Sequence, residues 1–260
     1  MRGLTSCLAA PAVLTFMRWL CALLLPLPLW VRADCVLRQE CSPGSAGCYP
    51  RATTPAERAP FALNSTGIPF ACPQYTDSGC CTPAANSQLF LSYIIEENSL
   101  GEPASGGCPA CSANVQGLWC AFACAPTQSD YVAVEGLHNV SGVGQVFEVN
   151  VTLSDAYAAA LFESCAGVGL VRMNPLMDTA PLFLHYMGLQ GVSTANTLVQ
   201  FQMGGAAGLA LQAYDCCNFP ANVSDPGAAG NASCPCASCL GNCPNGSCSP
   251  PPSGSLRVEF

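Results

Sequence analysis

The chain has 260 residues, including 20 cysteines, and only 9% of its residues are charged. Residues 34–260 contain no lysine, five arginines and all sixteen acidic residues, which gives this part a net charge of −11. Nucleic-acid binding needs a basic surface, so the composition excludes that class of function. A cysteine content this high is typical of disulfide-stabilised domains of the secretory route.

The N-terminal segment has the pattern of a secretory signal peptide. Residues 17–33 place one arginine before an apolar run and end in a small-residue cleavage site at Ala33. The apolar run of about 12 residues is too short to span a bilayer, which takes about 20. We therefore expect 1–33 to be signal peptide with leader, in which residues 1–16 are either a long leader or an upstream start, and Asp34 to begin the mature chain.

Asn-x-Ser/Thr acceptors for N-glycosylation occur six times after this segment. One such sequence is common by chance, but six of them favour the secretory route and predict a glycoprotein whose glycans lie on surface loops. The acceptors are Asn64, Asn139, Asn150, Asn222, Asn231 and Asn245.

The first long predicted helix covers residues 86–100. Its apolar face consists of Leu89, Phe90, Tyr93 and Ile94. Asn86 is the expected N-cap. Glu96 and Glu97 are expected to form a solvated polar end rather than a catalytic carboxylate pair.

A second helix is predicted within "GCPACSANVQGLWCAFACAP", residues 107–126, although Gly117 weakens the pattern. Its four cysteines, spaced C-x2-C and C-x3-C, allow a tetrahedral zinc site. Oxidation in the secretory route and the even number of eighteen cysteines after residue 33 favour disulfides instead. A redox centre is disfavoured because no thioredoxin-like strand precedes Cys108. We therefore expect no metal site.

The middle of the chain, residues 156–214, has one cysteine and few charges. A helix is predicted after Ser154, its N-cap, with Asp155 in the first turn. The apolar runs 180–188 and 196–203 are either helix or buried strand, since periodicity does not separate the two. A segment this apolar is expected to form either an ordinary core, which is the default, or the walls of a lipid pocket.

The end of the chain is rich in cysteine, glycine and proline. Residues 234–248 contain five cysteines, and a segment this short needs disulfides to hold it to itself and to the rest of the domain. Residues 249–260 are predicted to be a stiff Pro-rich linker.

Catalytic patterns are missing from the sequence. His138 and His185 are the only histidines, and neither stands in a recognisable catalytic frame. His138 is expected on a surface loop and His185 as a half-buried helix residue. We therefore predict a binding function without catalytic residues or cofactors, not an enzyme.

The cysteine framework resembles the luminal N-terminal domain of the Niemann-Pick type C1 family of sterol transporters. The matching features are the Cys80–Cys81 pair, an amphipathic helix, Cys-Pro-x-Cys, an eight-residue interval, and Cys-x3-Cys-x-Pro. The segments "CVLRQEC", "AYAAALFESCAGV" and "CPCASCLGNC" also match. The resemblance implies an α+β fold over residues 34–248, with several helices around a small mixed sheet. It also implies that the linker leads to a membrane span absent from this chain.

The resemblance also implies a disulfide pairing. The pairs are Cys35–Cys80, Cys41–Cys48, Cys72–Cys120, Cys81–Cys124, Cys108–Cys234, Cys111–Cys165 and Cys236–Cys243. In addition, Cys239 pairs with Cys216 or Cys217, and the remaining one of these two pairs with Cys248.

The resemblance implies that one sterol is held in an apolar pocket with its hydroxyl inward. The positions carried over are Leu37, Asn86, Gln88, Leu89 and Trp119, with Trp119 as a wall against the rings. The family's two hydroxyl-binding positions fall on Gly47, where the family has Asn, and on Ala85 or Asn86, where it has Gln. Gln88 lies one turn further on.

The resemblance further implies sterol transport in the lumen of a lysosome, late endosome or vacuole. A small soluble carrier of the Niemann-Pick C2 type would deliver the sterol, and the membrane part of the same protein would receive it. The alternative is a disulfide-stabilised extracellular or luminal interaction domain that has lost sterol binding. A secreted hydrolase is disfavoured because no nucleophile and base are found.

Overall fold

The computed structural model describes residues 34–37, 52, 54–63, 71–102, 106–140, 144–195, 197–214, 216 and 234. Several expectations lie outside these residues: the signal peptide 1–33, the linker 249–260, Gly47, the cysteines Cys41, Cys48, Cys217, Cys236, Cys239, Cys243 and Cys248, and the acceptors Asn64, Asn222, Asn231 and Asn245. In the described part, no helix is both long enough and apolar enough to cross a membrane.

Helices and one sheet make up the described part of the fold, so the predicted α+β class is confirmed. The helices are α1 (Pro55–Arg58), α2 (Pro83–Glu96), α3 (Pro109–Cys124), α4 (Asp155–Cys165), α5 (Gly169–Arg172) and α6 (Ala180–Ala195). The strands are β1 (Val132–Val140), β2 (Gly144–Leu153) and β3 (Thr197–Met203). A π-helical turn, Glu97–Gly101, follows α2.

Helix α2 begins earlier than the sequence analysis predicts. Thr82 is its N-cap, and the Thr82 hydroxyl accepts a hydrogen bond from the N–H of Ala85 at 3.2 Å. Pro83 follows at the first helical position, where its missing N–H costs nothing. The prediction that Asn86 caps this helix is therefore wrong, and Asn86 is buried in the first turn.

Helix α3 is the most deeply buried helix of the described part. It runs through Gly117, where an added Cβ would meet only the Leu211 side chain, at 4.0 Å. The glycine therefore does not interrupt the helix. Cys108 precedes the first turn as the N-cap residue, and Cys111, Cys120 and Cys124 lie on the helix itself.

The sheet has the order β1-β2-β3. Strands β1 and β2 pair antiparallel, whereas β2 and β3 pair parallel, so the sheet is mixed, as the resemblance implied. Val149 and Val151 of β2 and Val199 of β3 face the core. The two ambiguous apolar runs are thereby settled, since 180–188 lies in α6 and 197–203 forms β3.

Helix α6 packs closely on strand β3 at Gly188. A Cβ added at this position would overlap the carbonyl oxygen of Val199. The short distance between helix and strand therefore requires the absence of a side chain at residue 188.

The surroundings of both histidines differ in part from what the sequence analysis predicts, although His185 does lie in a helix, as expected. His138 lies on strand β1 rather than on a loop, and its Nε2 is 3.2 Å from Oε2 of Glu148 on β2. His185 is exposed on α6 rather than half-buried, because the inward face of that helix is taken by Phe183, Leu184 and Met187.

Five disulfides link the described residues, and each joins the same two cysteines as the resemblance implied. They are Cys35–Cys80, Cys72–Cys120, Cys81–Cys124, Cys108–Cys234 and Cys111–Cys165. Cys216 is also disulfide-bonded, to a residue outside the described ones. The sulfur atoms of Cys108, Cys216 and Cys234 lie within 4.8 Å of one another, but as oxidised half-cystines they offer no thiolate to a metal.

Candidate functional site

Leu89 of α2, Trp119 of α3 and Phe201 of β3 are among the half-buried apolar side chains that pack against the core. Contacts between rings join three aromatic side chains here, namely Trp119, Phe122 and Phe201. The Trp119 ring meets the rings of Phe122 and Phe201 edge to face, with centroid distances of 5.6 and 5.8 Å. Such a cluster offers a rigid aromatic surface to an apolar ligand at little cost in side-chain entropy. Leu89 and Trp119 were both expected at the site, whereas Phe201 was not singled out.

Leu37 lies in the same core, on the short extended segment 34–37, and is only 2% exposed. The segment is fixed by the Cys35–Cys80 disulfide and by the side chain of Gln128. The Oε1 atom of Gln128 accepts hydrogen bonds from the N–H groups of Val36 and Leu37, at 2.9 and 3.0 Å.

The C-terminal end of α3 has all four of its last carbonyls satisfied. A helix end normally leaves these acceptors without intrahelical partners. The Nε2 atom of Gln128 donates to the carbonyls of Phe122 and Ala123, at 2.8 and 2.9 Å. The Tyr131 hydroxyl donates to Ala121 at 2.8 Å, and the N–H of Cys80 donates to Cys124 at 2.9 Å. Sequence reasoning missed Gln128, because a single glutamine after a helix end carries no distinguishing signal.

Asn86, expected to meet the ligand hydroxyl, makes a structural bond. Its Oδ1 accepts the N–H of Ala71 at 2.8 Å, which ties the chain before Cys72 to the first turn of α2. Ala85, the other position considered for this role, is buried and apolar. Gln88 lies in α2, but its side chain is outside the described part of the structure.

A polar cluster links α2 to α3. The Tyr93 hydroxyl donates to the carbonyl of Gln116 and lies 2.9 Å from Sγ of Cys120. Burial, with smaller contributions from Glu96 and Tyr75, raises the pKa of Tyr93 far above its usual range. The Tyr93 hydroxyl is therefore neutral and acts as a donor.

Glu96 is not the solvated residue that the sequence analysis predicts. Burial raises the pKa of Glu96 to about 7. Its Oε2 atom is buried and has no hydrogen-bond partner among the residues that the structure describes. Glu97, by contrast, is exposed. The prediction of a solvated end was therefore wrong for Glu96, which lies at the junction of α2 and the π-helical turn.

Large apolar side chains are exposed at several places in the described part, and two groups of them lie close together in the sequence. On α2 these are Leu91, Ile94 and Ile95, with Ile95 at 68%, so the expectation that Ile94 joins the buried face is wrong. The second group, which we name the α5 patch, consists of Leu170, Met173 and Leu176, with Met173 at 76%. Sequence reasoning missed both groups, although exposed apolar side chains gathered in one place commonly mark contact surfaces.

Asn114 holds the chain around Tyr214 against α3. Its Nδ2 donates to the hydroxyl of Ser164 and to the carbonyl of Tyr214, both at 2.9 Å. Its Oδ1 accepts the N–H of Tyr214 at 2.7 Å. The buried amide therefore pairs with both backbone groups of Tyr214, as a neighbouring strand would.

The two described glycosylation acceptors differ in their surroundings. Asn139 is exposed on β1. Asn150 is part-buried on the central strand, and its Nδ2, the atom that would carry a glycan, donates to Oε1 of Glu135 at 2.8 Å.

These features define a disulfide-stabilised α+β domain with a rigid apolar cluster beside its core. The family model of the Niemann-Pick C1 N terminus matches residues 32–259, so the chain belongs to this family and the resemblance is confirmed. "NPC intracellular cholesterol transporter 1 homolog 1" of Caenorhabditis elegans is 26% identical over 187 residues, which are 62% of this chain. The match spans 13% of the length of that relative.

Proposed function

We propose that residues 34–248 bind one sterol or a closely related lipid. The observation that carries this proposal is the aromatic cluster of Trp119, Phe122 and Phe201 beside the core of a domain of this family. A rigid apolar ring system gains about 25 cal/mol for each Å² removed from water. Flat aromatic and branched side chains held by the disulfide framework supply the walls for such burial without reorganising.

The hydroxyl end of the ligand sets the specificity. A buried hydroxyl without a partner costs up to about 3 kcal/mol, so the site has to supply a donor or acceptor. We assign this role to α2, where Asn86 and Gln88 lie within one turn of Leu89. Because Oδ1 of Asn86 already accepts the N–H of Ala71, Gln88 is the more informative residue to substitute.

Transfer is the second part of the proposed function. A small soluble carrier of the Niemann-Pick C2 type delivers the sterol in the lumen of a lysosome, late endosome or vacuole, and the membrane part of the parent protein receives it. The α5 patch supports this proposal, because a carrier that exposes an apolar ligand needs an apolar surface to meet. The relative from C. elegans, named as a cholesterol transporter, supports the choice of ligand class.

The test is saturable binding of radiolabelled cholesterol and 25-hydroxycholesterol to the glycosylated protein. We expect binding by the unaltered chain, a loss of about tenfold or more in affinity for Trp119→Ala, and a smaller loss for Gln88→Ala. The matched control is Leu91→Ala, which removes an exposed side chain of α2 and is expected to leave affinity unchanged. If the folded protein took up no sterol, the proposal of sterol binding would be wrong. The alternative, a disulfide-stabilised interaction domain that has lost sterol binding, would replace it.

A further inference from the structure

The side chain of Gln128 is fully buried at 0% exposure and uses its whole hydrogen-bonding capacity. A primary amide has two protons to donate and two lone pairs to accept with. Here both lone pairs are taken by Val36 and Leu37, and both protons by Phe122 and Ala123. No other side chain of this size has two donors on one atom and two acceptors on another in the same plane. The arrangement therefore requires glutamine.

The four bonds join two parts of the chain that are far apart in sequence. Oε1 faces the backbone 91 and 92 residues away, whereas Nε2 faces a helix end only five and six residues away. The start of the segment is held separately, since the N–H of Asp34 donates to Pro126 and its carbonyl accepts from Ser129. Gln128 therefore sets the register of Leu37 against the end of α3.

We propose that Gln128 is a positioning residue of the ligand site, which acts by holding Leu37 at a fixed place relative to α3 and its Trp119. The inference rests on the proposed function, with Leu37 and Trp119 as the ligand contacts that the resemblance implies. Gln128 itself touches no ligand. Its substitution lowers affinity because Leu37 is no longer held in place and the ligand has to order it on binding, which weakens association.

The substitution that tests this role is Gln128→Glu. It keeps the volume and the two acceptors facing Val36 and Leu37, but it removes both donors and turns an oxygen toward the carbonyls of Phe122 and Ala123. The matched control is Gln116→Glu on α3, whose amide makes a single described bond, from Nε2 to the hydroxyl of Ser112 at 3.2 Å. A milder variant, Gln128→Asn, is one methylene shorter and reaches one of the two partners but not both.

Sterol affinity is measured on the folded fraction of Gln128→Glu, Leu37→Ala and the double variant. We expect each single variant to lose about tenfold in affinity and the double variant to lose no more than the larger single loss, because both act through Leu37. The proposal is overturned if Gln128→Glu and Gln128→Asn lower the unfolding midpoint but leave the sterol affinity unchanged. It is also overturned if the losses multiply in the double variant.

A second measurement separates this proposal from the binding function. Hydrogen exchange of the Val36 and Leu37 amides reports the bonds to Gln128 without any ligand. Lost protection in Gln128→Glu, with protection kept in Gln116→Glu, supports the positioning role even if the unaltered chain binds no sterol. Unchanged protection in Gln128→Glu overturns it, whatever the sterol measurements give.

Discussion

Glu96 is the residue whose surroundings depart furthest from what its type suggests. A carboxylate is stabilised by water or by donors, and the buried Oε2 of Glu96 has no hydrogen-bond partner in the described part of the chain. Burial therefore favours the neutral acid, and its pKa rises to about 7 from an ordinary value of 4.5. Tyr93, which interacts with Glu96, is itself a neutral phenol.

The raised pKa of Glu96 makes the stability of the domain depend on pH. Between about pH 4.5 and 7 the folded state binds more protons at Glu96 than the unfolded state does. The stabilisation is complete below about pH 4.5 and lost as the pH rises through about 7, a change on the order of 3 kcal/mol. Urea unfolding between pH 4.5 and 7.5 measures it, and Glu96→Gln is expected to remove most of this dependence.

Glu97→Gln is the matched control for that measurement. Glu97 is the next residue along the chain and is exposed. Its substitution is expected to leave the slope of stability against pH unchanged. Equal slopes for the unaltered protein and Glu96→Gln would contradict the assignment to Glu96.

Asn114 carries a second prediction for a single side chain. Asn114→Ala leaves the N–H and the carbonyl of Tyr214 without their buried partner, which is expected to cost about 2–3 kcal/mol. Chemical denaturation gives the free energy of unfolding, and the Tyr214 amide is expected to exchange faster. Asn98→Ala, which removes an exposed amide from the π-helical turn, is expected to cost less than about 0.5 kcal/mol. A similar cost for both variants would refute the role of Asn114.

Among the elements, α3 shows what a sequence pattern predicts and where it stops. Four cysteines and an apolar periodicity are enough to place this helix. Periodicity does not decide that α6 is a helix and β3 a strand, because the apolar runs within both are short. Strands β1 and β2 are harder still, since the bulge between Val134 and Gly136 breaks the alternation that marks a strand.

The contact of α6 with β3 gives a prediction for these elements. Gly188→Ala places a Cβ on the carbonyl oxygen of Val199, so α6 has to move away from the sheet. We expect a loss of about 3 kcal/mol in unfolding free energy. Gly169→Ala in α5, where an added Cβ meets nothing within 4 Å, is the control and is expected to be neutral or slightly stabilising. A tolerated Gly188→Ala would mean that the helix and the strand are less tightly packed.

At the scale of the whole molecule, disulfides join helix α3 to segments that precede it and follow it in the described chain. Its cysteines, with the cap residue Cys108, bond to Cys72, Cys81, Cys165 and Cys234. The resemblance implied these pairs because cysteine spacing is visible in a sequence. The polar contacts of Gln128 and Asn114 were not predicted, because amides have no characteristic spacing and their partners are backbone groups.

The disulfides allow a prediction about how the stability that each one contributes depends on the length of the loop that it closes. The pairs Cys108–Cys234 and Cys81–Cys124 enclose sequence separations of 126 and 43 residues, and all four cysteines are buried. Replacing either pair by alanines is expected to cost a few kcal/mol. The longer loop is expected to cost about 1 kcal/mol more, because the unfolded chain regains more freedom. Unfolding free energies of the two double variants measure this, and a larger loss for Cys81–Cys124 would contradict it.

The satisfied end of α3 has a mechanical consequence. A helix that slides along its axis exchanges the partners of its terminal carbonyls, and at this end all four are engaged by Gln128, Tyr131 and Cys80. Sliding by one residue would break these bonds together with the geometry of three disulfides borne on the helix. Axial sliding of α3 is therefore opposed by both sets of bonds, so we expect the elements around it to be the ones that move if the proposed ligand enters.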